Sequence, residues 1–138
     1  MSLTYSSSLT LSTAFQTITF ADEDFDDAGA FSSTEFTAPT AGVYHFDCSV
    51  YDLSFSGVTP SASNYVELQM IPPAGITYIY SKSYLPNLAT GYVPALNISQ
   101  TLKLAAGNKV SFAIKKSFNN GSLILGSFSD SFSGYKVY

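Results

Sequence analysis

The sequence predicts an all-β sandwich or barrel, and three observations carry this prediction. Apolar and polar residues alternate with a period of two in several stretches, as in strands that bury one face. Turn signals containing Gly, Pro or Asn separate these stretches at short intervals. The chain contains 10 Tyr and 11 Phe but only 12% charged residues, a profile that favours strands over helices. No segment carries an apolar helical stripe with a cap and a stop.

Five stretches are predicted as strands because apolar residues recur at every second position. The clearest is VYHFDCSVYDL, in which His45 and Asp47 alternate with an apolar set. In NYVELQMI, Glu67 and Gln69 are predicted to face outwards. The apolar faces are, in chain order, Tyr44, Phe46, Cys48 and Val50; Val66, Leu68 and Met70; Leu96, Ile98, Leu102 and Leu104; Val110, Phe112 and Ile114; and Tyr135 with Val137.

Turn signals divide these strands. They are DDAG at 26–29, APTAG at 38–42, FSGVTPSASN at 55–64, PPAG at 72–75, AAGN at 105–108 and NNG at 119–121. The proline and the glycine of APTAG immediately precede the clearest strand. Pro39 cannot donate a ladder hydrogen bond and therefore ends any pairing before it, and Gly42 is predicted to permit a sharp reversal. We interpret this turn as the point where the chain changes sheet.

The length of 138 residues predicts a single domain, 1–138, with residues 1–8 interpreted as a tag or stalk remnant. No apolar run reaches the ~18 residues of a membrane helix, so membrane insertion is not expected. The net charge is −4, and the six basic residues are all lysines. A nucleic-acid partner is therefore excluded, because base and phosphate recognition relies on a basic, Arg-containing surface.

The sequence offers little for catalysis, and the chain is not predicted to be an enzyme. His45 is the only histidine, which excludes a zinc cluster built on several histidines. We assign it a structural role in preference to a pH-sensitive contact. Cys48 is the only cysteine, lies on an apolar face and has no basic neighbourhood, so it is interpreted as a core residue.

An acidic stretch, ADEDFDDAG, contains half of the acidic residues of the chain. Clustered carboxylates suit calcium, which prefers oxygen ligands. The candidate ligands are Asp22, Asp24, Asp26 and Asp27. An EF-hand is excluded because Asp27 stands where that loop needs glycine and no helices flank it. A solvated acidic loop between two strands is the preferred interpretation, with calcium as the only cofactor considered.

Two further stretches are candidates for surface roles. YIYSKSYLPNLATGYVP carries Tyr78, Tyr80 and Tyr84, which suit either stacking against a glycan or protein, or a contact between subunits. The sequence does not decide between these roles. Lys115 and Lys116 precede a hairpin tip and are interpreted as solubilising charges near a sheet edge.

Five motifs in order resemble one family. FTAPTAGVYHF resembles the F-T-x-P-x-x-G-x-Y-x-F signature of the globular head domain of complement C-one-q and its tumour-necrosis-factor-like relatives. The others are TAFQTITF at 13–20, YVELQM at 65–70, LKLAAGNKVSF at 102–112 and FSDSFSGYKVY at 128–138. The chain departs from the pattern at DFDDAGAFSSTEF, where Glu35 replaces a glycine, and at Asn108, where the family has Asp. It carries no preceding Gly-X-Y stalk, which favours a microbial or phage homologue.

The resemblance implies a ten-stranded jelly-roll sandwich of two antiparallel sheets, assembled as a homotrimer and placed extracellularly or at a cell or virion surface. It also implies an aromatic-rich interface between subunits and loops that bind ligand. We therefore predict the following residues at the trimer interface or ligand surface: Tyr44, Phe46, Tyr78, Tyr80, Tyr84 and Tyr135.

The predicted function is a non-catalytic trimeric binding or adhesion module that recognises a protein or glycan through its loops with avidity. The alternative is a structural trimerisation or tip domain of a microbial or viral fibre, in which the trimer contact is itself the function. A carbohydrate-active enzyme on the same scaffold would need a carboxylate pair facing a groove. The concentration of acids in one loop counts against that third reading.

Overall fold

The computed structural model of the chain describes residues 2–4, 9–20, 22–23, 26–51, 53–85, 95–126 and 130–138, and within these ranges all regular structure is β. Thirteen strands are found there. They are β1 Ser2–Thr4, β2 Leu9–Thr10, β3 Gln16–Thr17, β4 Asp22–Glu23, β5 Glu35–Thr37, β6 Gly42–Val50, β7 Leu53–Ser56, β8 Tyr65–Ile71, β9 Ile79–Tyr84, β10 Leu96–Leu104, β11 Lys109–Lys116, β12 Ser122–Leu125 and β13 Ser131–Lys136.

The first sheet has the order β10-β6-β13-β1-β4, and its mapped pairings are antiparallel. Strand β6 pairs along its whole length with β10, from Gly42 opposite Leu104 to Val50 opposite Leu96. On its other side β6 pairs with β13. Strand β1 pairs with both β13 and β4, so Ser2–Thr4 belongs to the sandwich. The interpretation of residues 1–8 as a tag or stalk remnant stays a prediction, but Ser2–Thr4 is paired within the first sheet.

The second sheet has the order β3-β11-β8-β9, and β5 pairs with β11 as well. Strands β3 and β5 follow one another along β11, at Ala113–Ile114 and at Lys109–Ser111 respectively. The two five-stranded sheets correspond to the predicted ten strands. Three short strands not predicted from the sequence, β2, β12 and β7, form a third sheet in that order.

The core lies between the two large sheets and contains nearly all of the predicted inward-facing residues. The period-two prediction is confirmed for β6, β8, β10 and β11, whose predicted apolar faces are buried. Tyr44 and Phe46 are only 2% and 0% exposed. Their predicted placement on an outer interface is wrong, because alternation turns both side chains towards the core, although Tyr44 also lines a cavity at one end of the sandwich. The exceptions are Tyr135 and Val137, which lie on the exposed side of the chain's last residues.

Aromatic side chains form the centre of this core. The ring of Phe36 packs edge-on against that of Phe46, with centroids 5.1 Å apart. Phe132 contacts Phe112 and Phe31 in the same geometry, at 4.8 and 4.9 Å. Such edge-to-face pairs stabilise the packing beyond the burial of apolar area alone. Residues from both sheets and from the loop before β5 are thereby fixed together.

Two glycines of the resembling motifs are explained by close approach. A Cβ on Gly134 would lie 2.8 Å from Cδ1 of Phe46, so the backbone of β13 lies directly against that ring. A Cβ on Gly42 would lie 2.3 Å from Cε of Lys136 and 2.8 Å from the carbonyl oxygen of Tyr138. Gly42 is absent from the glycines with positive φ. The sharp reversal predicted for Gly42 is therefore wrong, and its role is to leave room for the last strand.

The turn at 38–42 is bonded to the turn at 105–108. The backbone N–H of Ala38 donates to the carbonyl of Asn108, and the N–H of Gly107 donates to the carbonyl of Ala38, both at 2.8 Å. The Asn108 side chain accepts the N–H of Ala105 at 2.9 Å. Asn108 thus closes this turn with its side-chain oxygen, the group that the family's Asp would also offer.

The two consecutive lysines of β11 do not lie at an edge, because β11 is an internal strand. The Nζ of Lys115 lies 4.7 Å from the centroid of Phe15 and 4.0 Å from the carboxylate of Glu67. Lys116 points inwards, is buried, and donates from Nζ to the carbonyl of Gly121 at 3.0 Å. The interpretation of this pair as solubilising edge charges is therefore wrong.

Candidate functional site

Four of the six residues predicted at a surface are exposed. Tyr78, Tyr80 and Tyr84 are 56%, 60% and 57% exposed, and Tyr135 is 56% exposed. The first three lie on or beside β9, in the second sheet, whereas Tyr135 lies on β13, in the first sheet. The structure therefore separates the predicted residues into two surfaces on opposite sides of the sandwich.

The outward side of the β8–β9 hairpin forms the first surface. Cross-strand pairing places Tyr65 opposite Tyr84, Glu67 opposite Lys82, and Gln69 opposite Tyr80. We call these six residues the tyrosine–lysine face. The rings of Tyr65 and Tyr84 pack against each other with centroids 5.6 Å apart.

Lys82 is the centre of the tyrosine–lysine face. Its Nζ lies 4.6 Å from the ring centroid of Tyr65, 5.4 Å from that of Tyr80, and 3.7 Å from the carboxylate of Glu67. Cation–π attraction and the ion pair therefore act on one ammonium group. The Glu67 carboxylate also contacts Lys115 at 4.0 Å, and its side chain is only 9% exposed. Glu67 does face outwards, as predicted, but the two lysines cover it.

The outward side of β10, β6 and β13 forms the second surface. Pairing across these strands gives rows of three, with His45 between Thr101 and Tyr135 in one of them. We call this surface the hydroxyl face. It consists of Asn97, Ser99 and Thr101 of β10; His45, Asp47 and Ser49 of β6; and Ser131, Ser133 and Tyr135 of β13.

Side chains of the hydroxyl face bond mainly to one another. The Nδ1 of His45 lies 2.8 Å from Oγ1 of Thr101, and its Nε2 lies 3.2 Å from both Oγ of Ser99 and a carboxylate oxygen of Asp47. The His45 ring also packs against Tyr135, with centroids 5.5 Å apart. His45 is therefore held by neighbours on three strands, which agrees with the structural role assigned to it.

The acidic loop is only partly described. Carboxylate oxygens of Asp26 accept the N–H of Phe31 at 2.8 Å and that of Ala28 at 3.3 Å. Burial acts to raise the pKa of Asp26, but the N–H groups of Phe31, Ala30, Ala28 and Gly29 together hold it below its ordinary value. Asp24 and the side chain of Asp22 lie outside the described residues. Among the described residues, no group of three acids, histidines or cysteines could hold a metal ion, and calcium binding at this loop stays a prediction.

The single cysteine lies in the core, as predicted. Cys48 is buried, and burial together with the nearby carboxylate of Asp130 raises the pKa of its thiol well above the ordinary value. A thiol held in its neutral form is a poor nucleophile. Asp130 has a structural partner, because its Oδ1 accepts the backbone N–H of Tyr51 at 2.8 Å. Neither residue supports catalysis.

The sequence pattern did not identify Tyr65, Lys82 and Glu67 as members of one surface site. The available signal was the alternation itself, which sets Tyr65 and Glu67 on one side of β8 and Tyr80, Lys82 and Tyr84 on one side of β9. Only the pairing register shows that the two rows face each other.

No protein-family model and no curated protein matches the chain. The chain is similar in structure to the globular domain of zebrafish complement 1qA protein, with a TM-score of 0.70 and 18% identity, over 99% of this chain and 95% of that one. It is also similar to murine APRIL, with a TM-score of 0.64 and 9% identity, over 99% and 96% of the two chains. The chain therefore has the complement-head and tumour-necrosis-factor-like jelly-roll fold, as predicted. The described residues include no helix that is long and apolar enough to cross a membrane.

Proposed function

We propose that the chain is a non-catalytic homotrimeric binding or adhesion module, placed extracellularly or at a cell or virion surface, that attaches to a protein or glycan. The observation that carries this proposal is the exposure of Tyr78, Tyr80, Tyr84 and Tyr135 outside a core that is closed without them. Exposed aromatic surface of this kind marks interaction sites, and aromatic residues are enriched in interface centres. The resemblance to complement heads, which implies a homotrimer, supports the same conclusion.

The hydroxyl face is the proposed surface of self-association. Asp47 is its only carboxylate, and Nε2 of His45 lies 3.2 Å from it. Most of its other side chains are small hydroxyls, whose short reach lets a second chain come close. Charged residues are depleted from interface cores, whereas aromatic residues such as Tyr135 are enriched there. A nearly neutral surface with internal hydrogen bonds loses little when water is removed from it.

The tyrosine–lysine face is the proposed ligand surface, together with the PPAG turn at 72–75, which leads into Tyr78. Glu67 contacts Lys82 of this face and also Lys115 of the neighbouring strand, so the surface around Glu67 carries a positive excess. Tyrosine provides a large, rigid contact area with a polar tip, which suits sugar rings and protein surfaces alike. A solvated ion cluster is better tolerated at such a surface than in the centre of a trimer.

Three copies of one modest site on a rigid trimer would act through avidity. After the first site binds, the second binds at a high effective concentration, and total affinity can rise by about 10²–10⁴ on a repetitive target. The affinity of each single site can therefore be low.

The first test is the solution mass by light scattering after size-exclusion chromatography, with calcium and then with chelator. We expect a mass near three chains. A monomer at micromolar concentration would overturn the trimeric mechanism. Dissociation by chelator would support calcium at the acidic loop, formed by Asp22, Asp24, Asp26 and Asp27. An unchanged mass would leave calcium without a role in assembly.

The second test is binding of the assembled protein to a glycan array and to immobilised surface proteins of candidate hosts, for the wild type and Tyr80→Ala. We expect binding that Tyr80→Ala weakens while the mass stays unchanged. A stable trimer that binds nothing in either format would favour the alternative, a trimerisation or tip domain of a microbial or viral fibre.

A further inference from the structure

A cavity of about 330 Å³ opens at one end of the sandwich, apart from the tyrosine–lysine face. It lies where β6 begins and β13 ends, next to the loop before β5. This volume is at the lower end of the range found for small-molecule sites. The residues that matter for its chemistry are Asp26, Phe31, Phe36, Thr40, Tyr44 and Lys136.

The apolar wall of the cavity is aromatic and firmly packed. The ring of Phe36 contacts those of Phe31 and Tyr44, with centroids 5.0 and 5.3 Å apart. Phe36 and Tyr44 are buried core residues, so their rings are held in place from behind. Rigid aromatic walls of this kind favour a flat apolar group, because little conformational freedom is lost when it binds.

The polar corner of the cavity is formed by one cation and two hydroxyl groups. The Nζ of Lys136 donates to Oγ1 of Thr40 at 3.0 Å, and the Tyr44 hydroxyl donates to the carbonyl of Thr40 at 2.7 Å. An ammonium group has three N–H donors, of which this contact uses one. Within the described part of the chain, no carboxylate lies within 4.0 Å of Nζ. The lysine stem passes over Gly42, where a Cβ would lie 2.3 Å from Cε.

The carboxylates that line the same cavity are less available to a ligand. Both oxygens of Asp26 already accept backbone N–H groups, from Ala28 and Phe31. Asp27 is exposed on the loop surface. The lining as a whole carries two carboxylates and one ammonium. In the polar corner, however, the Lys136 ammonium has unused N–H donors, so this corner favours an anionic hydrogen-bond acceptor.

We propose that this cavity binds a small organic monoanion with a flat apolar body, an aromatic carboxylate being the simplest example. The carboxylate accepts hydrogen bonds from Lys136 and from the Thr40 hydroxyl, while the ring packs against Phe31 and Phe36. The site lies beside the proposed trimer interface, because Tyr135 lines the cavity and also belongs to the hydroxyl face, but its ligand chemistry differs from that of the proposed macromolecular ligand.

The test uses benzoate, benzyl alcohol and benzylamine as matched probes, titrated into the whole protein in its native oligomeric state and followed by amide chemical shifts. We expect benzoate to bind about tenfold more tightly than benzyl alcohol, because a charge-assisted hydrogen bond replaces a neutral one. The shifted amides should be those around Thr40, Gly134 and Lys136. Benzylamine should bind no better than benzyl alcohol.

Three variants separate the contribution of charge from that of cavity shape. Lys136→Met should weaken benzoate binding about tenfold and leave benzyl alcohol unchanged, whereas Lys103→Met, a charge removed from the first sheet outside the cavity, should change neither. Ala30→Leu should block all three probes by filling the cavity, in which Ala30 is a lining residue. Folding of each variant is checked by its amide spectrum.

Three results would overturn the proposal. Tighter binding of benzylamine than of benzoate would assign the site to cations at Asp26 and Asp27. Equal benzoate affinity in the wild type and Lys136→Met would remove the lysine from recognition. Absence of any cavity shift with millimolar benzoate would show that the site is closed or unused in the assembled protein.

Discussion

The hydroxyl face and the tyrosine–lysine face are the outer surfaces of the two large sheets, and both carry exposed tyrosines in different electrostatic surroundings. On the hydroxyl face, which carries Tyr135, hydroxyl and amide groups predominate and bond to one another, with Ser49 donating to Asn97 at 2.9 Å. Around Tyr80 and Tyr84 lies an ion cluster in which Lys82 contacts Glu67 at 3.7 Å. The tyrosines of the two faces are similarly exposed, whereas the polar groups around them differ in charge.

Aromatic composition alone therefore does not distinguish a subunit interface from a ligand surface. A high aromatic content was consistent with either role for each tyrosine. The polar residues that surround the tyrosines distinguish the two faces. Burying a charged group costs far more free energy than burying hydroxyl groups that are already hydrogen-bonded.

The largest loss of folding stability is expected from a substitution on the inward side of β6, the central strand of the hydroxyl face. Phe46→Ala should destabilise the fold by ~3–5 kcal/mol, since it removes a fully buried aromatic ring. His45→Ala, one residue away but on the outer side, should cost at most about 1 kcal/mol. Chemical denaturation of both variants measures these differences. Equal losses would contradict the assignment of Tyr44 and Phe46 to the core.

The next largest effect separates the two outer faces. Tyr135→Glu should dissociate the proposed trimer, because a charge would be buried at the interface and desolvated without a partner, at a cost of several kcal/mol per copy. Tyr80→Glu is the matched control and should leave the mass at three chains. Light scattering at matched concentrations gives both results. Dissociation by Tyr80→Glu but not by Tyr135→Glu would exchange the roles of the two faces.

A moderate effect is expected from the acidic loop near the open end of the sandwich. The pKa of Asp26 is lowered in the folded protein, because hydrogen bonds from backbone N–H groups outweigh the effect of burial. Its contribution to stability is therefore present above the unfolded pKa, near 3.8, and is lost as the pH falls through the lower folded value. Asp26→Asn should be less stable than the wild type at neutral pH, and the difference should shrink below about pH 4.

The matched control for that measurement is Asp27→Asn, which removes a neighbouring charge from the same loop. Thermal unfolding from pH 3 to pH 7 should give parallel curves for this control and the wild type. An Asp26→Asn curve that runs parallel to the wild type as well would show that the N–H bonds of Asp26 do not hold its charge.

The smallest effect is expected from the ion cluster of the tyrosine–lysine face. Glu67→Gln should cost about 1 kcal/mol, since the amide keeps the shape of the buried side chain, both lysines reach solvent, and the cation–π contacts of Lys82 remain. About 1 M NaCl should reduce the difference between variant and wild type by screening the two lysines. A loss above about 2 kcal/mol, insensitive to salt, would mean that the buried charge of Glu67 is itself required by the fold.

Much of the fold could be predicted because alternation is a local property. The residues of β6 carry their own inward and outward assignment, and Phe46, Cys48 and Val50 are buried as that pattern requires. The same pattern, followed strictly, would have excluded Tyr44 and Phe46 from any surface. The prediction for Tyr44 and Phe46 was wrong because their aromatic character was taken as evidence of an interface, although alternation along β6 already assigned both to its inward face.

The remaining features depend on contacts between distant parts of the chain. Lys116 is buried because Gly121 and Phe118 return over it after a turn, and the sequence shows only a charged pair. The cavity joins Asp26, Thr40 and Lys136, which no local pattern connects. The role of Gly42 likewise depends on Lys136, far along the chain. Strand register and packing between distant segments determine such features, and neither can be predicted from the sequence of one segment alone.

The position of β13 between β6 and β1 has a consequence for synthesis on the ribosome. Until Ser131–Lys136 has emerged from the exit tunnel, β6 and β1 each lack a neighbour, and the ring of Phe46 lacks the backbone of Gly134 that lies against it. Until then, the first sheet is incomplete and β1 and β6 each have an unpaired edge. Unpaired strand edges of this kind promote aggregation. Chains that stop before Ser131 should therefore expose the unpaired edges of β1 and β6 and aggregate.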